Sequence, residues 1–188
     1  MGKLIVFNSI SLDGYFVDAK GEMSWAHNRK PDPEWDAFVG GNASGGGILL
    51  FGRVTYDMMA SYWPTPMAAK NSPGVAEHMN ALEKVVFSRT MEKAAWNNTR
   101  LVKGDMVGEM RKLKRDSAKG MVILGSGSIV AQLANERVID EYQFVVVPVV
   151  LGGGRTMFDN VREKIQLELV MSRAFVNGNV VLHYKPVM

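Results

Sequence analysis

The segment 121–130 reads Met-Val-Ile-Leu-Gly-Ser-Gly-Ser-Ile-Val, and it decides how the rest of the chain is expected to fold. Its first four residues are apolar and predict a short buried strand. Two glycines and two serines then lead into a predicted helix that turns Ile129 and Leu133 inward. A strand that passes through a Gly/Ser turn into a helix is the repeating unit of a sheet with parallel strands.

Buried strands are predicted on both sides of this segment. Near the N-terminus, the apolar and β-branched stretches 3–11 and 47–51 are typical of strands covered on both faces. Each is followed by a glycine-containing break, as expected where a strand passes into a loop or helix. Further strands are predicted at 83–88, 99–102 and 140–151, the last containing Pro148 and therefore expected to bulge or reach an edge there.

Helices are predicted between these strands from their start and stop signals. Asp32 followed by Pro33 is a cap with proline at the first helical position, and it predicts a short helix that the glycines 40–41 and 45–47 should end. A second helix is expected to start near Val54 or Thr55 and to end at 63–66. Two more are expected to start at Ser72 and at Asp105.

The C-terminal stretches 164–176 and 179–185 are joined by Asn177-Gly178, which predicts an antiparallel hairpin. Alternating strands and helices closed by a hairpin indicate an α/β fold in three layers, α/β/α. The central sheet is expected to be mixed but mostly parallel. We expect one domain over residues 1–188.

Composition excludes several kinds of protein. The 188 residues are 47% apolar and 22% charged, and the net charge of +3 is too small to indicate binding to nucleic acid or membranes. No cysteine is present, which excludes disulfides, thiolate nucleophiles and cysteine-ligated zinc. The apolar run 144–151 is far shorter than the ~20 residues of a spanning helix. We expect a soluble, cytoplasmic protein without a metal site.

Two strand-to-helix turns are suited to anions. In the turn that contains Gly52, Arg53 and Thr55, a glycine permits close approach of a ligand, and an arginine and a hydroxyl stand at a helix start. The turn 125–128 offers two glycines and two serines in the same setting. The alternative is that these glycines only shape tight turns and that Ser128 only caps its helix. A third strand is followed by Ser88-Arg89-Thr90, and its arginine would place a second cation beside these two turns.

These turns, in this order, resemble the dihydrofolate reductase-like superfamily. Two further stretches are more specific: Ser-Leu-Asp-Gly at 11–14, and Pro-Val-Val-Leu-Gly-Gly-Gly-Arg at 148–155 followed by Met157-Phe158. They resemble the C-terminal reductase domain of riboflavin-biosynthesis proteins, the RibD C-terminal type, and even more its stand-alone bacterial relatives. The resemblance covers nearly the whole chain.

The resemblance implies NADPH as the cofactor and assigns residues to it. Those at the first turn would contact the cofactor phosphates, those after the third strand end would hold the adenosine end, and those at the Gly/Ser turn would wrap the pyrophosphate. The implied cofactor residues are Gly52, Arg53 and Thr55; Ser88 and Arg89; and Gly125, Ser126, Gly127, Ser128 and Ile129.

The same resemblance places the reaction centre near the end of the first strand. Asp13 would lie beside the nicotinamide, although Asp-Gly is also common in tight turns. The loop 15–25 would cover the site, with Trp25 as a pocket residue. The candidate proton donors are Glu34 and Asp36, and the alternative for each is a solvated helix carboxylate. Gly153 and Arg155 would lie on the substrate side, or the glycines would only turn the chain.

The expected function is therefore an NADPH-dependent reductase of a small heterocyclic or ribosylamino-pyrimidine-like substrate. The alternatives are a non-catalytic NADP(H)-binding sensor and a pterin or dihydrofolate reductase. RNA binding through the basic run 111–115 is disfavoured, since that run is interpreted as a solvated helix face. A homodimer is expected, without nucleic acid or membrane partners.

Overall fold

The computed structural model describes residues 1–27, 30–44 and 47–187. Within these ranges, eight strands form one sheet and two more form a small separate sheet. The large sheet contains β1 (Leu4–Ser11), β3 (Ile48–Gly52), β4 (Glu83–Phe87), β5 (Thr99–Val102), β6 (Met121–Ile123), β7 (Glu141–Val147), β9 (Leu167–Ala174) and β10 (Val180–Pro186), and the small one contains β2 (Tyr15–Asp18) and β8 (Gly154–Thr156).

Six α-helices and one short 3-10 turn, Ser24–Ala26, connect the strands in the described part of the chain. The helices are α1 (Pro33–Ser44), α2 (Arg53–Tyr62), α3 (Pro66–Asn71), α4 (Pro73–Ala81), α5 (Met106–Asp116) and α6 (Gly127–Asn135).

The strand order of the large sheet is β5-β4-β3-β6-β1-β7-β10-β9. The strands from β5 to β7 are parallel to their neighbours, whereas β10 runs antiparallel to β7 and to β9. This confirms the predicted mixed, mostly parallel sheet with a C-terminal antiparallel hairpin.

Alternating side chains divide the core into two layers. On β3, Ile48 and Leu50 face the layer that contains α5 and α6, whereas Leu49 and Phe51 face α2 and α4. Trp35 of α1 packs on the second side of the sheet, over β7 and β10. The three-layer α/β/α arrangement is therefore confirmed.

The neighbouring strands β3 and β6 send their helices to opposite faces of the sheet. Tyr56 of α2 lies in the core beneath one face, and Leu133 of α6 lies beneath the other. Where adjacent parallel strands diverge in this way, a crevice opens at their carboxyl ends, and such crevices are the usual ligand sites of α/β sheets.

Helix α1 is longer than predicted, because it continues through Gly40 and Gly41 to Ser44. The Asp32 cap starts it as expected: the carboxylate accepts the N–H groups of Glu34 and Trp35, each at 3.1 Å. Packing of α1 on the hairpin outweighs the cost of the glycines, roughly 1 kcal/mol each. The expected break at 45–47 falls partly on residues 45–46, which lie outside the described residues.

Three further predictions need correction. Strand β7 ends at Val147 instead of bulging at Pro148, because proline lacks the N–H that the ladder needs. Helix α3 was not predicted, although Thr65 before Pro66 is the same cap signal as Asp32-Pro33, and its hydroxyl accepts the N–H of Ala68. Strands β2 and β8 lie in stretches expected to be loops.

In the described ranges, no helix combines the length and the apolar character that crossing a membrane requires.

Lys84 lies near the amino-terminal end of β4, on the side of the sheet opposite the crevice, and its side chain is fully buried. Its ammonium donates to the carbonyls of Asn80, Leu82 and Asn97 at 3.2, 2.6 and 3.2 Å, and it lies 4.5 Å from the ring centre of Trp96. Burial lowers the pKa of Lys84 to about 8.

Replacing Gly40 by alanine should stabilise the protein by about 0.5–1 kcal/mol, because a Cβ at this position meets nothing within 4 Å and alanine favours the helix. Urea unfolding measures the change. Gly152→Ala is the control: its φ of +71° disfavours alanine, so it should destabilise. No gain at Gly40 would mean that the helix ends before it.

The free energy of unfolding should rise with pH above about 8 because of Lys84. Between pH 8 and the usual lysine pKa near 10.4, the unfolded chain binds a proton there that the folded chain has released. Urea unfolding at pH 7.5 and 9.5 should therefore show a larger gain for the wild type than for Lys84→Met. Equal pH dependence in both proteins would contradict a lowered pKa.

Candidate functional site

A cavity of about 680 Å³ opens at the crevice between β3 and β6. Its walls come from the residues that follow β3, β4, β5 and β6, together with β2 and β8. It brings together nearly all of the predicted phosphate and adenosine residues. Those in its walls are Gly52, Arg53, Thr55, Ser88, Arg89, Ser126, Gly127, Ser128 and Ile129.

Two glycines let the first and second turns meet. The N–H of Gly52 donates to the carbonyl of Gly125 at 3.2 Å. A Cβ on Gly52 would lie 2.5 Å from the hydroxyl of Ser126, and one on Gly125 would lie 2.9 Å from that of Thr55. Gly125 also has a φ of +105°, which favours glycine. Both positions therefore require glycine, and Gly125 lies directly behind the cavity wall.

The serines of the Gly/Ser turn are arranged around the start of α6. Ser126, and not Ser128, is the residue before the helix, and its side chain makes no capping hydrogen bond. The hydroxyls of Ser126 and Ser128 lie 2.9 Å apart, and both residues face the cavity. Two hydroxyls beside the first N–H groups of a helix can bind an anion.

Among the described residues, four cations line the cavity: Arg53, Arg89, Lys103 and Arg155. Arg53 has a carboxylate within reach, that of Asp57 at 3.9 Å. Arg89, Lys103 and Arg155 form no ion pair with any residue in the described ranges. Unpaired cations that face one cavity favour a ligand with several negative charges.

The two carboxylates in the cavity wall, Asp105 and Asp159, are already engaged. Asp105 accepts the N–H of Gly108 at 3.0 Å, which caps α5, and Asp159 accepts the hydroxyl of Thr156. These hydrogen bonds fix where the two carboxylates lie, and two negative charges against four positive ones leave the cavity wall with a positive surplus.

Asp13 lies at the end of β1, outside the cavity wall, and binds a neighbouring loop. Its carboxylate accepts the hydroxyl of Ser11 at 2.6 Å and the N–H groups of Leu151 and Gly152 at 3.1 and 2.7 Å. The Ser11 hydroxyl first, and then these N–H groups, hold the pKa of Asp13 at about 2. The carboxylate is therefore ionised at neutral pH and joins β1 to the loop before β8.

Glu34 and Asp36 are exposed on α1, away from the cavity wall. Glu34 pairs with Arg173 of β9 at 2.7 Å. The buried Asp32 accepts the N–H of Asn177 at 3.0 Å, in the hairpin turn. Burial raises the pKa of Asp32, but its backbone N–H donors outweigh this and lower it overall. The acidic start of α1 thus holds the hairpin.

The three predicted substrate residues do not lie together. The ring of Trp25 packs with the cluster around Val145 and Val147, and its indole N–H donates to Glu22 at 3.1 Å. Gly153 is half-buried in the loop before β8, outside the cavity wall. Arg155 lines the same cavity as the predicted cofactor residues.

Several wall residues were not predicted from the sequence. Lys103 follows β5, just as Arg89 follows β4. A search for basic residues directly after the predicted strands, which selected Arg89, would therefore also have found Lys103. The pairing of β2 with β8 carries no such signal, although the loop 15–25 and Arg155 were expected near the site. Phe16, Gly21 and Met23 belong to the loop 15–25 that is expected to cover the site, whereas the sequence gives no expectation for the wall residues Gln132, Asp159 and Asn160. No group of three or more His, Cys, Asp or Glu side chains among the described residues could hold a metal ion.

Solved structures share this fold over the whole chain. A protein of Shewanella sp. PV-4 assigned to riboflavin biosynthesis superposes with a TM-score of 0.76 at 24% identity, covering 99% of both chains. Dihydrofolate reductase from Enterococcus faecalis, in complex with NADP(H), gives 0.66 at 14% identity, covering 100% of this chain and 98% of that one. A deaminase and 5-amino-6-(5-phosphoribosylamino)uracil reductase of Thermotoga maritima gives 0.69 at 13% identity, covering 99% of this chain and 57% of that one.

Sequence comparison points the same way. The uncharacterized protein YyaP of Bacillus subtilis is 27% identical over 182 residues, covering 97% of this chain and 94% of that protein. YwjB of the same organism is 23% identical over 190 residues, covering 97% of each. The family profile of the RibD C-terminal domain matches residues 2–181. The chain therefore belongs to the RibD C-terminal domain family.

Proposed function

We propose that the protein is an NADPH-dependent reductase of a small heterocyclic substrate, of the ribosylamino-pyrimidine type. The observation that carries the proposal is the cavity at the β3–β6 crevice. Residues that follow four strands, β3, β4, β5 and β6, line this cavity. Three of the four cations in its wall have no ion-pair partner in the described chain. A dinucleotide with a pyrophosphate and a further phosphate supplies the charges that these cations lack.

The cavity residues fit the parts of such a ligand. Gly52 and Gly125, whose Cβ atoms would collide with the opposite turn, allow the backbone to approach a pyrophosphate next to Ser126. At the other end, Ser88, Arg89 and Lys103 line the cavity beyond β4 and β5. An arginine and a lysine there favour a phosphate over a hydroxyl on the adenosine ribose, and hence NADPH over NADH.

The bound cofactor would supply a hydride for a C=N or C=O carbon of the substrate. The chain's residues bind and orient the cofactor and exclude water. The names of two fold neighbours support this chemistry, since one is a 5-amino-6-(5-phosphoribosylamino)uracil reductase and the other a dihydrofolate reductase in complex with NADP(H).

Once the hydride has reached the carbon of the C=N or C=O group, the nitrogen or oxygen needs a proton. Under this proposal the proton comes from water. Asp105 and Asp159, in the cavity wall, already accept hydrogen bonds from Gly108 and Thr156. Asp13 is ionised at neutral pH and so has no proton to donate. Its part in the reaction is to position the loop that begins at Leu151.

NADPH should stabilise the protein more than NADH does. At a concentration 100 times the Kd, a ligand adds about 2.7 kcal/mol, which raises the Tm of a chain of this size by roughly 5–10 °C. Arg89→Ala should remove most of the difference between the two cofactors, because it removes a cation at the adenosine end. Thermal unfolding measures both effects.

Arg100→Ala is the matched control, since Arg100 lies on neighbouring β5, outside the cavity wall, and pairs with Glu109. It should leave the preference for NADPH unchanged. Equal stabilisation of the wild type by both cofactors, or by neither, would contradict the proposed cofactor. Oxidation of NADPH with pterin or pyrimidine acceptors, followed by absorbance, then separates a reductase from a sensor that only binds.

Asp13→Asn should loosen the loop before β8, because an amide cannot accept all the N–H and O–H donors that the carboxylate accepts. Hydrogen exchange at Leu151 and Gly152 should become faster at neutral pH. The matched control is Asp18→Asn: the N–H groups of Lys20 and Glu22 donate to one oxygen of Asp18, which the amide retains, so exchange at 151–152 should stay unchanged. Unchanged exchange at 151–152 together with lost reductase activity would instead assign Asp13 to the chemical step.

A further inference from the structure

Arg155 is the one predicted substrate residue that reaches the cavity, and its position points to a different partner. We propose that Arg155 binds the pyrophosphate of the dinucleotide, on the side of the cavity opposite the Gly/Ser turn. The inference rests on the proposed function. It adds a cofactor-binding residue from β8, a strand that the sequence reading placed beside the substrate.

The guanidinium of Arg155 and the start of α6 line the same cavity, and both adjoin the ring of Phe16. Its central carbon is 5.8 Å from the ring centre of Phe16. The same ring packs against Gly127, the first residue of α6, where a Cβ would lie 3.0 Å from a ring carbon. The arginine and the turn that contains Ser126 and Ser128 are therefore both neighbours of one aromatic ring in the cavity wall.

The chemistry of the side chain suits a phosphate. Arg155 is exposed and forms no ion pair within the described ranges, so its forked N–H groups remain available. An arginine can bind two phosphate oxygens at once. The loop residues that would accompany a substrate phosphate, Asp13 and Gly153, lie outside the cavity wall.

The pairing of β8 with β2 holds Arg155 in this position. Arg155 is the partner of Val17, and Gly154 that of Asp18. Gly154 has a φ of +146°, and a Cβ there would collide with the carbonyl of Val17. The backbone of β8 can approach β2 because this residue is glycine. Gly154→Ala should therefore displace the arginine without removing its charge.

The test measures the dissociation constants of NADPH, NADH and 2′-AMP for the wild type, Arg155→Met and Arg162→Met. Arg162 is a nearby arginine outside the cavity wall and serves as the charge-matched control. For Arg155→Met, NADPH and NADH should bind about five- to tenfold more weakly, with their ratio unchanged, because both contain the pyrophosphate. Binding of 2′-AMP, which has no pyrophosphate, should be unaffected.

Gly154→Ala provides a second, independent variant. It should weaken both dinucleotides in the same direction as Arg155→Met, and the double variant should lose less than the sum of the two, since both act through one contact. Thermal unfolding of each variant without ligand shows that it remains folded.

Three results would overturn the inference. If Arg155→Met binds both dinucleotides like Arg162→Met, the inference fails while the proposed function stands, and a raised KM for the substrate would then return Arg155 to the substrate side. If the variant changes the NADPH/NADH ratio, the arginine contacts the adenosine phosphate. If the wild type binds neither dinucleotide, the proposed function fails and the inference fails with it.

Discussion

The N–H of Gly52 donates to the carbonyl of Gly125 across 3.2 Å, at the point where β3 and β6 both end. This contact requires two residues without side chains, because a Cβ on either would collide with Ser126 or Thr55. The two turns can therefore touch at the level of the sheet, while α2 and α6 diverge to its opposite faces. The crevice between those helices is a geometric consequence of this approach, and the cavity lies in it.

The basic residues at the amino-terminal ends of the parallel strands have partners within the protein, and most of those at the carboxyl ends have no ion-pair partner in the described chain. At the edge away from the cavity, Lys84 donates to three carbonyls, and the buried Lys114 lies 2.6 Å from Asp140 and 2.7 Å from the carbonyl of Val138. At the cavity edge, Arg89 and Lys103 have no ion-pair partner in the described chain. The buried cations are satisfied within the fold, whereas exposed cations gathered around one cavity favour an anionic ligand. The buried Lys114 departs from the prediction that the basic residues of the run 111–115 form a solvated helix face.

The sequence predicts those parts of the fold that local chemistry determines. Strand β5 has its predicted bounds at Thr99 and Val102, and the caps Asp32 and Asp105 start their helices as expected. The adjacent turns were also foreseeable, because parallel strands end at one edge. What could not be predicted depends on distant contacts: α1 passes through Gly40 because its packing on the hairpin outweighs glycine's low helix propensity. The pairing of β2 with β8 joins segments some 140 residues apart, and no local pattern signals it.

The segment from Leu151 to Arg155 is held at both ends by different means. At its start, the Asp13 carboxylate accepts the N–H groups of Leu151 and Gly152, and at its end, β8 pairs with β2. Only a short stretch around Gly153 separates the two anchors. Asp13 does not line the cavity, but its carboxylate holds the chain three residues before Arg155, which does. The two most family-specific stretches, 11–14 and 148–155, are thus physically one unit, in which the end of β1 positions an arginine at the cavity.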